Sequence, residues 1–192
     1  FYGGEKSLGW KIDYSKLIKY LGSKYGVSET YYFGGVETHG YQYDYLKNET
    51  VDVKELENKL VEYIKKEGKN LDEAKLLLIS KHLGRIKFYL KLNKFGYRMF
   101  LKPVKLYHSG DGRTERKANC DVEMAFYLMK ERDNFDRVVF LSGDGDFYCL
   151  IEYLSRKRKL KRIIVPNYYK YSALLRKFGK NIDFLNSLKN KL

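Results

Sequence analysis

Residues 137–149 read Arg-Val-Val-Phe-Leu-Ser-Gly-Asp-Gly-Asp-Phe-Tyr-Cys. The run Arg137 to Leu141 is short, continuous and apolar, the pattern of a strand buried on both faces in a parallel sheet. From Phe147 a helical pattern starts, carried by Leu150, Ile151 and Leu154. Ser142 to Asp146 is therefore a strand-to-helix turn at the carboxyl end of a parallel strand, the edge where open α/β sheets bind ligands. Glycines permit a tight turn there, and the free N–H groups of the helix start favour an ionised carboxylate. Asp144 and Asp146 stand two residues apart in that turn and repel each other unless a cation lies between them. Asp and Ser at a helix start are also ordinary caps, so for either acid alone capping is the competing reading.

Working outward, the residues on either side repeat the strand–helix alternation. Upstream, Asp121 to Glu131 reads as a helix with Val122, Ala125, Phe126 and Met129 on one face. Downstream, Ile163 to Val165 is a second buried-type strand, Ser172 to Phe178 a helix and Ile182 to Leu185 a last strand. In the first half, Trp10 to Gly22 predicts a helix capped by Asp13, and Glu29 to Val36 an aromatic strand. Residues 37–50 read as a polar, tyrosine-rich loop or insertion, and Val51 to Lys66 and Asn70 to Leu92 as helices. Tyr97 to Leu106 is extended, with Pro103 demanding an edge or a bulge. His108 to Asn119 is polar, basic and glycine-rich, and is expected to be a loop. Its Ser109-Gly-Asp-Gly lacks a following apolar helix, so its likeness to the acid turn is coincidental. Strands alternating with helices predict an α/β fold with a mostly parallel sheet, and no linker divides residues 1–192, so one domain is expected.

The chain has 192 residues with 38 Lys+Arg against 24 Asp+Glu, a net charge of +14 that attracts polyanions, nucleic acid first among them. Tyrosines number 19, and a tyrosine near a lysine is either a half-buried packing residue or a surface on which bases stack. No apolar run reaches the roughly 18 residues of a membrane span. The two cysteines, Cys120 and Cys149, have no metal-ligand spacing, which points to a reducing cytoplasm. His39 and His82 are far apart in sequence, have no ligand partner at metal spacing, and read as surface or half-buried packing residues.

The segments "KANCDVEMAFYLM" (117–129) and "FDRVVFLSGDGDFYCLIEYLSRKRKLKRIIVP" (135–166) together resemble the NYN-domain branch of the PIN-like nucleases. The resemblance is close over Lys117 to Pro166 and weaker around Leu8-Gly9-Trp10, 31–35 and from Ser172. It implies a Rossmann-like three-layer α/β/α sandwich and hydrolysis of RNA phosphodiesters by acids that bind Mg²⁺ or Mn²⁺. Carried over, Asp121, Asp144 and Asp146 are the metal ligands and catalytic acids, with Ser142 supporting them from the turn and Lys117 as the basic residue beside Asp121. Family members begin with a strand that ends in a further aspartate. This chain opens at Phe1-Tyr2, where that motif would have just ended, so a longer natural polypeptide, or another segment filling the sheet, is expected. Asp13 is read as a helix cap and not as that acid.

The basic residues complete the expectation. Arg113, Arg116 and Lys117 lie on the loop side of the acids, and Arg156, Lys157 and Arg158 begin a run of cations at a helix end. Both groups suit phosphate contacts without sequence reading. The competing readings are a catalytically weak or inactive RNA-binding or partner-binding module, and a small-molecule phosphatase, which the basic surface disfavours.

Overall fold

The computed structural model describes residues 8–108, 114–118 and 120–192, with 106–108 and 114–117 as backbone only. In chain order the elements are α1 (Tyr14–Tyr25), β1 (Thr30–Val36), α2 (Val53–Glu67), α3 (Glu73–Lys94), β2 (Tyr97–Pro103), β3 (Lys105–His108), β4 (Thr114–Lys117), α4 (Asp121–Lys130), β5 (Val138–Leu141), α5 (Tyr148–Arg156), β6 (Leu160–Val165) and β7 (Ile182–Phe184), with short 3-10 turns between several of them. The chain groups into two compact units, one of Phe1–Ser28 with Glu123–Leu192 and one of Glu29–Val122.

The first unit carries a parallel sheet in the order β5-β6-β7. The run Ile163 to Val165 of the central strand is buried on both faces, as the sequence predicts, and Phe140, Ile163 and Val165 pack with Ile151 and Leu154 of α5 and with Leu175. A fully buried side chain of this size stabilises by about 1.5–3 kcal/mol, so this cluster holds the sheet together. Helix α1 begins at Asp13, whose carboxylate accepts the N–H groups of Ser15 and Lys16, and it ends at Gly26 with φ 63. Asp13 is thus the cap that the sequence predicts, but the stop lies at Gly26 and not at Gly22. Tyr25 at that end donates to Asp183 of β7 at 2.7 Å, and Lys161 Nζ donates to the Tyr25 carbonyl.

The second unit pairs β1 with β2 in parallel, Thr30 opposite Tyr97 through Val36 opposite Pro103. Pro103 closes an edge strand, as its missing N–H requires. The chain returning from 37–50 docks on that same strand, with the Leu101 N–H donating to Thr50 Oγ1 at 2.8 Å and the Val51 N–H to the Leu101 carbonyl at 2.9 Å. Helix α2 buries Leu56 and Leu60, and α3 buries Ile79, Ile86, Tyr89 and Leu92, one stripe along each helix. The Tyr89 hydroxyl donates to the Gly35 carbonyl at 2.8 Å. A Cβ on Gly35 would stand 2.1 Å from that of Ala118, so glycine is what lets the chain cross the end of β1 on its way into α4.

The parallel pairing expected of an α/β fold is present in both units, β1 with β2 in the second and β5-β6-β7 in the first. Two details differ. The segment 108–119, read as a loop, contains β4, which pairs antiparallel with β3. Thr-Glu-Arg-Lys has no apolar period to read, so nothing in the sequence marks it as a strand. The apolar face of α4 that the sequence marks is turned outward: Val122 is 71% and Phe126 68% exposed, while Met124 and Leu128 pack on the core of the first unit.

Candidate metal and phosphate site

The acid turn follows β5 directly. The Asp144 N–H donates to Ser142 Oγ at 3.1 Å, and the Asp146 N–H donates to Asp144 Oδ1 at 3.0 Å. Asp144 is the cap of a single 3-10 turn, Gly145–Phe147, which leads into α5. Capping therefore does occur, but it uses one oxygen of one acid. Among the described residues Asp144 Oδ2 and both Asp146 oxygens have no hydrogen bond or ion pair, and both side chains are exposed. Two uncompensated carboxylates side by side, in a chain of net charge +14, are an arrangement that a cation relieves. Their oxygen donors are the hard ligands that Mg²⁺ or Mn²⁺ takes, so the pair fits the ion expected from the sequence.

The turn is braced from the segment after β6. The Ser172 N–H donates to the Gly143 carbonyl at 2.9 Å. A Cβ on Gly143 would lie 3.2 Å from Tyr171 Cβ, and one on Gly145 only 2.3 Å from Ser172 Oγ. Both glycines are needed because a second chain segment lies against the turn. Phe147, the first apolar residue after the acids, is buried against Phe140 with ring centroids 4.9 Å apart.

Asp121 is the first residue of α4 and half-buried, at the carboxyl end of the β1–β2 sheet where Ala118 crosses Gly35. It belongs to the second unit, whereas Asp144 and Asp146 belong to the first. Among the described residues no group of three or more His, Cys, Asp or Glu is placed to hold a metal ion. Lys117 and Arg116 lie on β4, and Arg113 lies outside the described residues.

The cations of 156–162 separate into two kinds. Lys159 Nζ donates to the carbonyls of Arg132 and Phe135 at 2.9 and 2.6 Å, and Arg162 to that of Lys180 at 2.8 Å. Lys161 holds the end of α1, so all three are structural pins. Arg156, which pairs with Glu152 at 3.2 Å, and Lys157 and Arg158 remain at the surface. These last three precede β6, and Asp144 follows β5, its parallel neighbour. The surface cations thus occupy the amino-terminal edge of the sheet and the acids the carboxyl-terminal edge, separated by β6, whose 6 residues span about 20 Å.

Several residues that the sequence leaves unassigned gain a place. Lys177 donates to Glu152 at 2.7 Å and holds that carboxyl below its usual range, and it also donates to the Tyr148 hydroxyl. In the second unit His39 Nε2 and His82 Nδ1 are 2.6 Å apart, a long-range pair that spacing along the chain could not reveal. Tyr168 and Tyr169, on the segment after β6, and Leu174, which lies against Gly145 of the acid turn, are large and exposed. Tyrosine richness is visible in the sequence, but the exposure of these two rings is not.

Comparison with known proteins adds a family. The model of the NYN domain matches residues 57–180. The low amplitude and bright protein LabA of Synechococcus elongatus is 35% identical over 69 residues, which is 35% of this chain and 37% of that protein. The chain thus matches little more than a third of that relative's length. No solved structure matches significantly. Among the described residues no helix is long and apolar enough to cross a membrane.

Proposed function

The chain belongs to the NYN-domain family, a class of PIN-like nucleases, and from that premise we propose that it is a divalent-metal-dependent ribonuclease that hydrolyses RNA phosphodiesters. The observation that carries the reading is the pair Asp144 and Asp146, uncompensated and exposed at the carboxyl end of a parallel strand. With Asp121 they would hold Mg²⁺ or Mn²⁺. Such an ion supplies charge neutralisation at the phosphate and lowers the pKa of a water for attack.

The protein's own part is positioning. Ser142 Oγ fixes the backbone at Asp144, and Asp144 Oδ1 fixes it at Asp146, so the Asp144 carboxylate and the backbone that carries Asp146 are set before any ligand arrives. Such preorganisation avoids reorganisation during the reaction. Lys117, Arg116 and Arg113 are proposed to meet the phosphate, and Arg156, Lys157 and Arg158 to hold the RNA backbone at the far edge. The chain is proposed to act as one NYN unit over 1–192, with 37–50 an insertion.

Asp144→Asn is the sharpest variant. Asparagine caps as well as aspartate, so the turn and its stability persist while the charge goes. Cleavage of a fluorescent single-stranded RNA in Mn²⁺ is expected to fall by about 100-fold or more, and to stop with chelator in the wild type. Cleavage that survives both changes sinks the assignment. A second reading, a catalytically weak or inactive RNA- or partner-binding module, is favoured by the lack of a three-ligand group among the described residues. Binding without cleavage would establish it.

A further inference from the structure

The segment between β6 and the 3-10 stretch that begins at Ala173 is short, aromatic and tied to the acids. After Val165 the chain runs Pro166-Asn-Tyr-Tyr-Lys-Tyr-Ser172. Asn167 Oδ1 accepts the Tyr169 N–H at 2.8 Å, closing a turn, and the Pro166 carbonyl accepts the Asn186 N–H at 3.1 Å. Ser172 fastens the other end to Gly143 of the acid turn. The Tyr168 ring is held between Phe184, at 5.0 Å, and Tyr169, at 5.2 Å, edge to face in both cases. Tyr169 itself is 84% exposed, Tyr168 57% and Leu174 56%. Leu174 would lie 3.3 Å from a Cβ on Gly145, and Tyr169 is three residues from Ser172, which is fastened to the acid turn.

These large apolar groups have no buried role, yet the backbone beneath them is fixed by hydrogen bonds at both ends. A ring that faces water on a braced turn suits a flat π surface. We propose that Tyr169, propped by Tyr168, is a stacking seat for one unpaired base of a single-stranded RNA whose backbone passes the acid turn. Lys170, exposed between the tyrosines, faces the phosphates of that strand. Stacking of this kind tolerates any base. A duplex presents no free base face, so the seat selects single strands. The identity of the ligand as RNA rests on the nuclease reading, but the seat is tested without catalysis.

Anisotropy of a labelled, unstructured RNA and of its duplex, measured in chelator with the full chain, provides that test. Tyr169→Ala is expected to weaken single-strand binding by about ten-fold, within the range for one stacked base. Tyr169→Phe is expected to bind like the wild type, and duplex binding to be unchanged in both. A ribose-phosphate oligomer without bases should bind wild type and Tyr169→Ala alike. Equal losses for single strand and duplex, or no loss for Tyr169→Ala, would overturn the proposal. Failure of the RNA to be cleaved in Mn²⁺ while the Tyr169 effect persists would remove the nuclease reading and leave the seat standing.

Discussion

At Gly145 the space for a side chain is already taken. A Cβ there would meet Ser172 Oγ at 2.3 Å and Ser172 Cβ at 2.9 Å, distances that force backbone or side chain to move. Gly145→Ala is therefore expected to lose about 1–3 kcal/mol, the scale of overpacking. Urea denaturation would show the loss, and an unchanged midpoint would mean that Ser172 does not lie on the turn. Because Asp144 and Asp146 flank this glycine, the same variant should lower cleavage beyond its effect on stability. The glycines of Ser-Gly-Asp-Gly-Asp are legible as turn residues in the sequence. What occupies the space above them is not, since Ser172 is distant in the chain and only folding brings it there.

The helix end at 156–162 shows what an element requires of residues that look alike. Seven consecutive positions carry six cations, Leu160 being the exception, and the composition alone reads as one phosphate-binding patch. Lys159 instead caps two carbonyls near the 3-10 turn Arg132–Asn134, and Arg162 meets Asp183 at 3.4 Å. Lys159→Ala should cost about 1–3 kcal/mol through carbonyls left unpaired, while Lys157→Ala leaves stability within about 0.5 kcal/mol, as for an ordinary surface site. Thermal melts of the two variants make the comparison, and equal losses would refute the division. The same scale explains why the sequence does not say which face of α4 is buried. Val122, Phe126 and Met129 form an apolar stripe as regular as the one through Met124 and Leu128, and periodicity cannot choose between two such stripes. Helices α1 and α2 carry one stripe each, and their buried faces follow from the sequence.

Across the whole molecule, tyrosine hydroxyls tie stability to alkaline pH. Burial, and then the hydrogen bond to Asp183, raise the Tyr25 hydroxyl above its usual range, and burial raises that of Tyr89. A raised folded-state pKa means that the neutral form is the one the fold holds. The stability is fully present below the unfolded value of about 10 and is lost as pH rises above it. Melting temperature followed by circular dichroism from neutral to strongly alkaline pH should fall beyond about 10, and Tyr25→Phe should flatten that fall in the first unit. An equally steep fall in the variant would remove Tyr25 as a cause. The amino-acid order by itself determined the α/β class, the strand-to-helix turn that carries Asp144 and Asp146, and the family, because local period, turn chemistry and a contiguous motif are all short-range properties. Only the tertiary structure decided which strands pair among the described residues, that the surface cations lie at the edge opposite the acids, and that Ser172, three residues after Tyr169, fastens that segment to the acid turn. Those facts depend on which distant segments pair and pack, and burial free energy summed over the fold makes that choice, with no local signal to announce it.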